Sequence, residues 1–318
     1  MAQHFLLSAQ ARTLSLRDIY KGGEEKAYDT FKAMRWADGE PVCPKCGCFE
    51  AYEITTRRKF KCKGCYAQFS VTSGTIFASR KMAFVDLLAA ICIFVNAVKG
   101  LSALQFSRDL DVQYKTAFVL AHKLREALAA EVENATLEGE VEIDGAYFGG
   151  HIRPANFAED RVDRRLAKHQ TGTRRVVIAL RQRKGRTRTF VATHEGEGVA
   201  IASQIVSRKS VIYADEAGHW DRLHEGWPTG RINHSEAYSA DGTNTNQVES
   251  YFSRLRRMVT GQHHGVSPKY LGAYSAHAAW LEDHRRRDNG GNALAVVANA
   301  MTHPVSRVWK GYWQRNAA

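Results

Sequence analysis

A chain of 318 residues is too long for one ordinary domain, so two or three are expected. Hydrophobic content of 44% and charged content of 25% are values of a globular protein and exclude a fibrous or disordered chain. A net charge of +12 suits a polyanionic partner, nucleic acid or an anionic membrane, but charge alone is equally compatible with simple solubility.

No apolar run reaches the roughly 18 residues that a membrane span needs. The best, Phe84 to Val98, is interrupted by Asp86 and Asn96. Phe5-Leu6-Leu7 is too short for the apolar core of a signal peptide. A cytosolic protein with reduced thiols is therefore expected, in which clustered cysteines are metal ligands before they are disulfides.

After an N-terminal helical segment over residues 1–38, residues 39–78 hold five of the six cysteines. Cys43-Pro-Lys-Cys46 and Cys62-Lys-Gly-Cys65 are separated by 15 residues. Each CxxC turn presents two thiolates to one side of an ion, and two such turns close a tetrahedral shell, so a structural Zn²⁺ is expected. A redox CxxC would not need the matched second pair. Cys48 is a spare thiol that competes with Cys46 as a ligand, but Gly47 suits the tight turn after a true knuckle. Cys92 falls in an apolar helical pattern and reads as core. Between the knuckles, Ala51 to Lys61 reads as short strands whose tip carries Arg57, Arg58, Lys59 and Lys61. A phosphate-contacting surface and a plain solvated turn are both open for it.

Residues 79–135 read as helical. Phe84, Leu87, Leu88, Ile91 and Val95 share one face, and Gly100 ends the pattern. Ser102 can cap a helix to about Asp109, and a tight turn near Asp111 leads to a longer helix from about Tyr114 to Glu131. Short helix, turn, longer helix is a helix-turn-helix arrangement, with Gln113, Tyr114, Lys115 and Lys123 on or near the reading helix; a plain helical bundle fits the same pattern.

The character changes after Glu138. Val141 to Phe148 alternates as a strand, residues 151–173 read as a polar loop, and two strands over Arg175–Arg181 and Thr187–Thr193 turn at Lys184-Gly185. A helix over 199–207, a strand over Ser210–Asp215 and a helix over Thr245–Met258 follow. This order is α/β with a mixed sheet. If the first and fourth strands are neighbours, Asp144 and Asp215 meet at one end of the sheet and the last helix supplies Glu249. Three converging carboxylates suit two Mg²⁺ or Mn²⁺ ions and in-line displacement at phosphorus. Chosen from 33 acids, the three are equally compatible with ordinary turn and cap residues.

Residues 41–77, from Pro-Val-Cys-Pro-Lys-Cys-Gly to Thr-Ile-Phe, resemble the zinc ribbon of a large group of bacterial insertion-sequence transposases. Glu142-Ile-Asp-Gly-Ala-Tyr-Phe-Gly-Gly150 resembles that group's first catalytic strand. Ile232-Asn-His-Ser235, Thr245 to Arg256 and His263 to Tyr274 resemble its later segments, so the likeness runs over about residues 15–290. It implies a DDE-class transposase with a ribonuclease H-like catalytic domain over 136–290 and a C-terminal tail over 291–318. Carried over, Asp144 and Asp215 are the metal-binding aspartates and Glu249 the third ligand. Asn246, one helical turn earlier, is the alternative, and Glu216 competes with Asp215. Arg256 matches a basic residue that contacts the element's end, and His234 matches a site-supporting histidine. The implied cofactors are structural Zn²⁺ and two catalytic Mg²⁺ or Mn²⁺. The implied partners are double-stranded DNA and further copies of the chain, in a bacterial cytoplasm at the nucleoid. A nuclease without strand transfer and a non-catalytic zinc-ribbon regulator are the alternative functions. In the tail, Val308-Trp-Lys-Gly-Tyr-Trp313 reads as a docking stretch for a partner subunit or DNA backbone.

Overall fold

The computed structural model describes residues 4–150, 153–163, 166–169, 172–233, 235–236, 239 and 242–315. It comprises two compact units, Met1–Glu131 with His284–Ala318, and Val132–Asp283. The first contains α1 (Leu16–Arg35), β1 (Ala51–Ile54), β2 (Lys59–Cys62), β3 (Gln68–Phe69), α2 (Phe84–Asn96), α3 (Ala103–Asp109) and α4 (Tyr114–Ala130). The second holds β4 (Glu140–Phe148), β5 (Arg175–Gln182), β6 (Thr187–Ala192), α5 (Glu197–Ile205), β7 (Val211–Asp215), β8 (Thr229–Ile232), α6 (Asn246–Arg256) and α7 (Pro268–Asp283). The chain then returns to the first unit as α8 (Asn289–Thr302) and α9 (Tyr312–Arg315). No helix of the described residues is long and apolar enough to cross a membrane.

In the first unit, β1, β2 and β3 form an antiparallel sheet. Its minimal core is aromatic: Trp36 meets Phe60 edge-on at 5.2 Å, and Phe60 lies 5.5 Å from Phe69. Three large rings bury more apolar area than so short a sheet could with aliphatic residues. The helices follow the pattern read from sequence. Ser102 accepts the Gln105 N–H at 3.1 Å as the cap of α3, and Asp111 takes the left-handed conformation (φ 49°) that turns the chain into α4.

The C-terminal tail belongs to this unit. In α8, buried Ala293, Val296, Val297, Ala300 and Met301 recur at helical spacing and pack toward α1, α2 and α4. The expected docking stretch is largely spent internally. Trp309 is buried and stacks on His122 of α4 at 4.2 Å, and Tyr312 packs on Trp309 at 4.8 Å. Val308 alone of its large apolar residues is more than half exposed.

The second unit is a five-stranded mixed sheet in the order β6-β5-β4-β7-β8. The central strand β4 pairs antiparallel with β5 and parallel with β7, which makes the first and fourth strands neighbours as expected. β5 and β6 form the hairpin that turns at Lys184 (φ 61°). The fifth strand, β8, was not legible. It has four residues, and Gly230 interrupts any alternation because a Cβ there would stand 2.7 Å from the Tyr213 ring. The order and mixture of strands are ribonuclease H-like.

Period-two alternation divides β4 between two environments. Val141 and Ile143 enter a core with Val176, Ile178, Leu180, Ile212 and Ala214, closed by Ala202 and Ile205 of α5 and by Trp220 and Trp227. Glu142 and Asp144 therefore face the other side, where α6 packs on β4. Within the core, Gly198 lets α5 approach Trp220, since a Cβ there would fall 2.5 Å from the ring. Gly198→Ala is expected to destabilise this unit by about 1–3 kcal/mol, the usual cost of overpacking. The lowered urea midpoint, followed by tryptophan fluorescence, measures it.

Candidate metal centres and catalytic face

The sulfurs of Cys43, Cys46, Cys62 and Cys65 all lie within 4.8 Å of one another, and among the described residues no other such group occurs. Cys43 and Cys65 are 3.7 Å apart, and Cys46 and Cys62 3.6 Å. Tetrahedral Zn–S bonds of about 2.3 Å require sulfurs about 3.8 Å apart, so the cage fits the ion. The two knuckles are alike. Gly47 (φ 74°) donates its N–H to the Cys43 carbonyl at 2.9 Å, and Tyr66 (φ 58°) donates to Cys62 at 3.1 Å. Tyrosine in the left-handed region is held there by the second knuckle.

The Cys65 N–H, donated to Cys62 Sγ at 3.4 Å, draws the Cys62 thiol down to about 6. Cys46 is pushed up to about 12: the Cys48 N–H favours its thiolate, but hydrogen bonding with the Cys65 and Cys62 sulfurs outweighs that. Four thiolates this close need a cation to ionise together. Cys48 lies outside the cage and faces the Glu50 carbonyl, and Cys92 is buried in α2. The four cysteines of the ribbon thus fit a structural Zn²⁺.

In the second unit, the β4–β7 register pairs Glu140 with Val211 and Glu142 with Tyr213. Beyond that point β7 ends at Asp215 while β4 runs on to Phe148. Asp215 thus sits at the carboxyl end of β7, and Asp144 midway along β4, just past the last residue pair between the two strands. Burial pushes the Asp144 carboxyl up to about 7; the Gly145 N–H, at 2.7 Å, offsets part of this, and the negative charges of Asp215, Glu195 and Glu249 add to it. Asp144, Asp215 and Glu249 therefore come from three remote segments and feel one another's charge, although their carboxylate oxygens do not gather as closely as the four sulfurs do.

Asp215 accepts the Ala217 N–H at 3.2 Å, and Arg231 of β8 holds the same turn through the Asp215 and Ala217 carbonyls. Asp215 is half-buried whereas Glu216 is exposed. On α6, Glu249 is half-buried and accepts the Thr245 hydroxyl at 3.2 Å, while Asn246 is exposed at the helix start. His234 lies outside the described residues.

Sequence reasoning missed Glu195, between β6 and α5. Its side chain lies against Gly145, where a Cβ would stand 2.7 Å from Glu195 Cγ, and its Oε2 is 3.0 Å from His219 Nε2. Burial raises its carboxyl, His219 opposes this, and Asp215 raises it again. The glycine after Asp144 was the available signal: it is the space this fourth acid occupies.

The basic residues fall into two groups. Arg57 and Lys59 are exposed at the ribbon tip, Lys115 is exposed at the first turn of α4 beside Trp313, and Arg256 is exposed beside Phe252. Arg58 instead donates to Glu24 and Glu25 of α1 and lies 5.4 Å over the Tyr28 ring. Lys123 is half-buried, and desolvation lowers its ammonium pKa against the opposing Glu126.

A ribonuclease H-like sheet with acids on neighbouring strands, in one chain with a four-cysteine ribbon, defines the class of protein. Two family models match in the same order: the transposase zinc-ribbon domain over residues 22–68 and the ISXO2-like transposase domain over residues 136–283. Comparison with curated proteins and with solved structures returned no match. The chain belongs to the insertion-sequence transposases of the DDE class with an N-terminal zinc ribbon, and is a DNA transposase.

Cys62→Ser is expected to lose the zinc found in wild-type protein by elemental analysis, together with the circular-dichroism and proteolytic signatures of a folded ribbon; a variant that keeps its metal and fold would contradict the cage. Separately, Glu195→Gln removes a like charge from beside Asp144, so the Asp144 carboxyl of metal-free protein should titrate below about 7, as read by carbonyl NMR.

Proposed function

We propose that Asp144, Asp215 and Glu249 hold two Mg²⁺ or Mn²⁺ ions and that the protein cuts its element's DNA ends and joins them to target DNA. The carrying observation is that β4 and β7, which bear Asp144 and Asp215, are paired parallel neighbours and that α6, which bears Glu249, packs on β4, so that both negative charges act on half-buried Asp144. Like charges gathered in a partly desolvated crevice repel, and a hard divalent cation bound by carboxylate oxygens relieves that repulsion. When bound, such a metal pair stabilises the attacking and leaving oxygens of an in-line displacement at phosphorus.

The residues divide the work. Asp144 offers its carboxylate from the middle of β4 and Asp215 from the end of adjacent β7, and Glu249 closes the site from α6. A carboxylate binds these hard cations better than an amide, so Glu249 rather than exposed Asn246 is the third ligand. The DNA supplies the remaining reactants. Water displaces the 3′-oxygen at the element's end, and the freed 3′-hydroxyl then displaces a 3′-oxygen in the target strand. Both steps are displacements at phosphorus and require no protein nucleophile.

Exposed Arg57, Lys59, Lys115 and Arg256 contact phosphates, which makes affinity fall steeply with salt. Arg58 and Lys123, spent on α1 or partly buried, contribute less. End recognition is assigned to the ribbon and to α3 and α4, and the active form is a homo-oligomer on DNA. The domain limits 39–78, 79–135 and 136–290 describe these tasks, with the tail over 291–318 supporting the helical module.

Cleavage of a labelled terminal-repeat duplex in Mg²⁺, followed by joining of a pre-cut end, tests the proposal. Asp144→Asn and Asp215→Asn should bind the duplex normally and lose cleavage by at least about 10³-fold, a barrier change of roughly 4 kcal/mol. Glu249→Gln should be far more damaging than Asn246→Ala. Full activity in Asp144→Asn overturns the mechanism, and cleavage without joining by wild type identifies a nuclease instead.

A further inference from the structure

Glu142 belongs to the strand motif singled out in the sequence, yet the proposed chemistry leaves it without a task. It is fully buried, a costly place for a carboxylate unless every lone pair is used. Its Oε2 accepts the N–H groups of Gln247 at 2.8 Å and Val248 at 2.9 Å, and its Oε1 accepts Arg183 Nε at 2.9 Å. The two amides are open donors in the first turn of α6. The local N-cap residue, Thr245, makes no side-chain cap to the helix and instead donates its hydroxyl to Glu249. A carboxylate from another element therefore caps α6, and the positive end of the helix favours its charge.

Arg183 completes the clamp. It spans Glu142, Glu140 Oε1 at 3.0 Å, and the Gly242 and Asn244 carbonyls just before α6, both at 3.0 Å. Its guanidinium lies 4.0 Å over the Tyr213 ring on the neighbouring strand. Glu142 precedes Asp144 by two residues on one face of β4, and Val248 immediately precedes Glu249. The capping bonds thus join the strand of the first acid to the helix of the third, one residue from that acid.

We propose that Glu142, held by Arg183, is a positioning residue that sets Glu249 against Asp144. It binds no metal itself; it fixes the angle and depth at which α6 meets β4. This inference rests on Glu249 being a metal ligand. Supporting contacts that orient ligands characteristically change metal affinity by 10–100-fold when removed.

The test uses the full-length chain and titrates it with Mn²⁺, reading the free ion by electron paramagnetic resonance. Glu142→Gln keeps shape but removes the charge that holds both amides and Arg183, and should weaken Mn²⁺ binding by about 10-fold or more. Arg183→Gln should do the same, and serves if Glu142→Gln fails to fold. Glu249→Gln should also weaken binding, and adding Glu142→Gln to it should change affinity by less than about 2-fold, because the residue being positioned is already lost. A general loss of packing would instead lower thermal stability and weaken Mn²⁺ binding equally in both backgrounds, which overturns the proposal. Wild-type Mn²⁺ affinity in Glu142→Gln and Arg183→Gln also overturns it. If Glu249→Gln itself binds Mn²⁺ like wild type, the assignment of Glu249 has failed and this inference with it. If Glu249→Gln weakens binding and Glu142→Gln does not, only the positioning role has failed.

Discussion

The catalytic unit depends on one constraint, the alternation of β4 between an apolar core and a face of carboxylates. Val141 and Ile143 anchor the strand beneath α5, and that anchoring leaves Glu142 and Asp144 no direction but toward α6. A register slip of one residue would bury both acids among Val176, Ile178 and Trp220, where neither has a partner. The core thus aims the two carboxylates.

Two carboxylates two residues apart, one fully buried and one half-buried, meet opposite fates on that face. Glu142 is satisfied by two helix amides and a guanidinium. Asp144 has the Gly145 amide and faces three further acids, and its carboxyl is pushed up to about 7. The contrast separates architecture from function. The satisfied acid locks elements together, whereas the other has its carboxyl raised by desolvation and by the charge of neighbouring acids. The ribbon repeats the logic with sulfur, since its four thiols ionise together only around a cation.

Basic residues are likewise sorted by structure. Arg58 and Lys123 looked equivalent to Arg57 and Lys115 in a chain of net charge +12. The first two are drawn into ion pairing or partial burial, and the second two remain exposed. A basic segment advertises affinity for phosphate, but the number of cations it can offer is set by the acids its neighbours present.

Local and periodic features were legible because their physics is local. Two CxxC turns define their own knuckles, Ser102 caps its own helix, and Asp111 turns its own chain, so the ribbon and the helices 84–96, 103–109 and 114–130 follow from spacing. The alternation of Val141–Phe148 and its likeness to a transposase motif likewise pointed to Asp144 before any fold was known. Other features depended on chain segments far apart. Glu195 comes to Asp144 through the glycine at 145, Glu142 caps a helix more than a hundred positions away, β8 is a strand because β7 offers it an edge, and Trp309 is buried because His122 and Phe118 receive it. Spacing in sequence determines which turns and faces a segment can form. Which faces meet, and therefore which acids share a site and which are spent holding it together, is decided only when remote segments pack and each buried charge must find a partner.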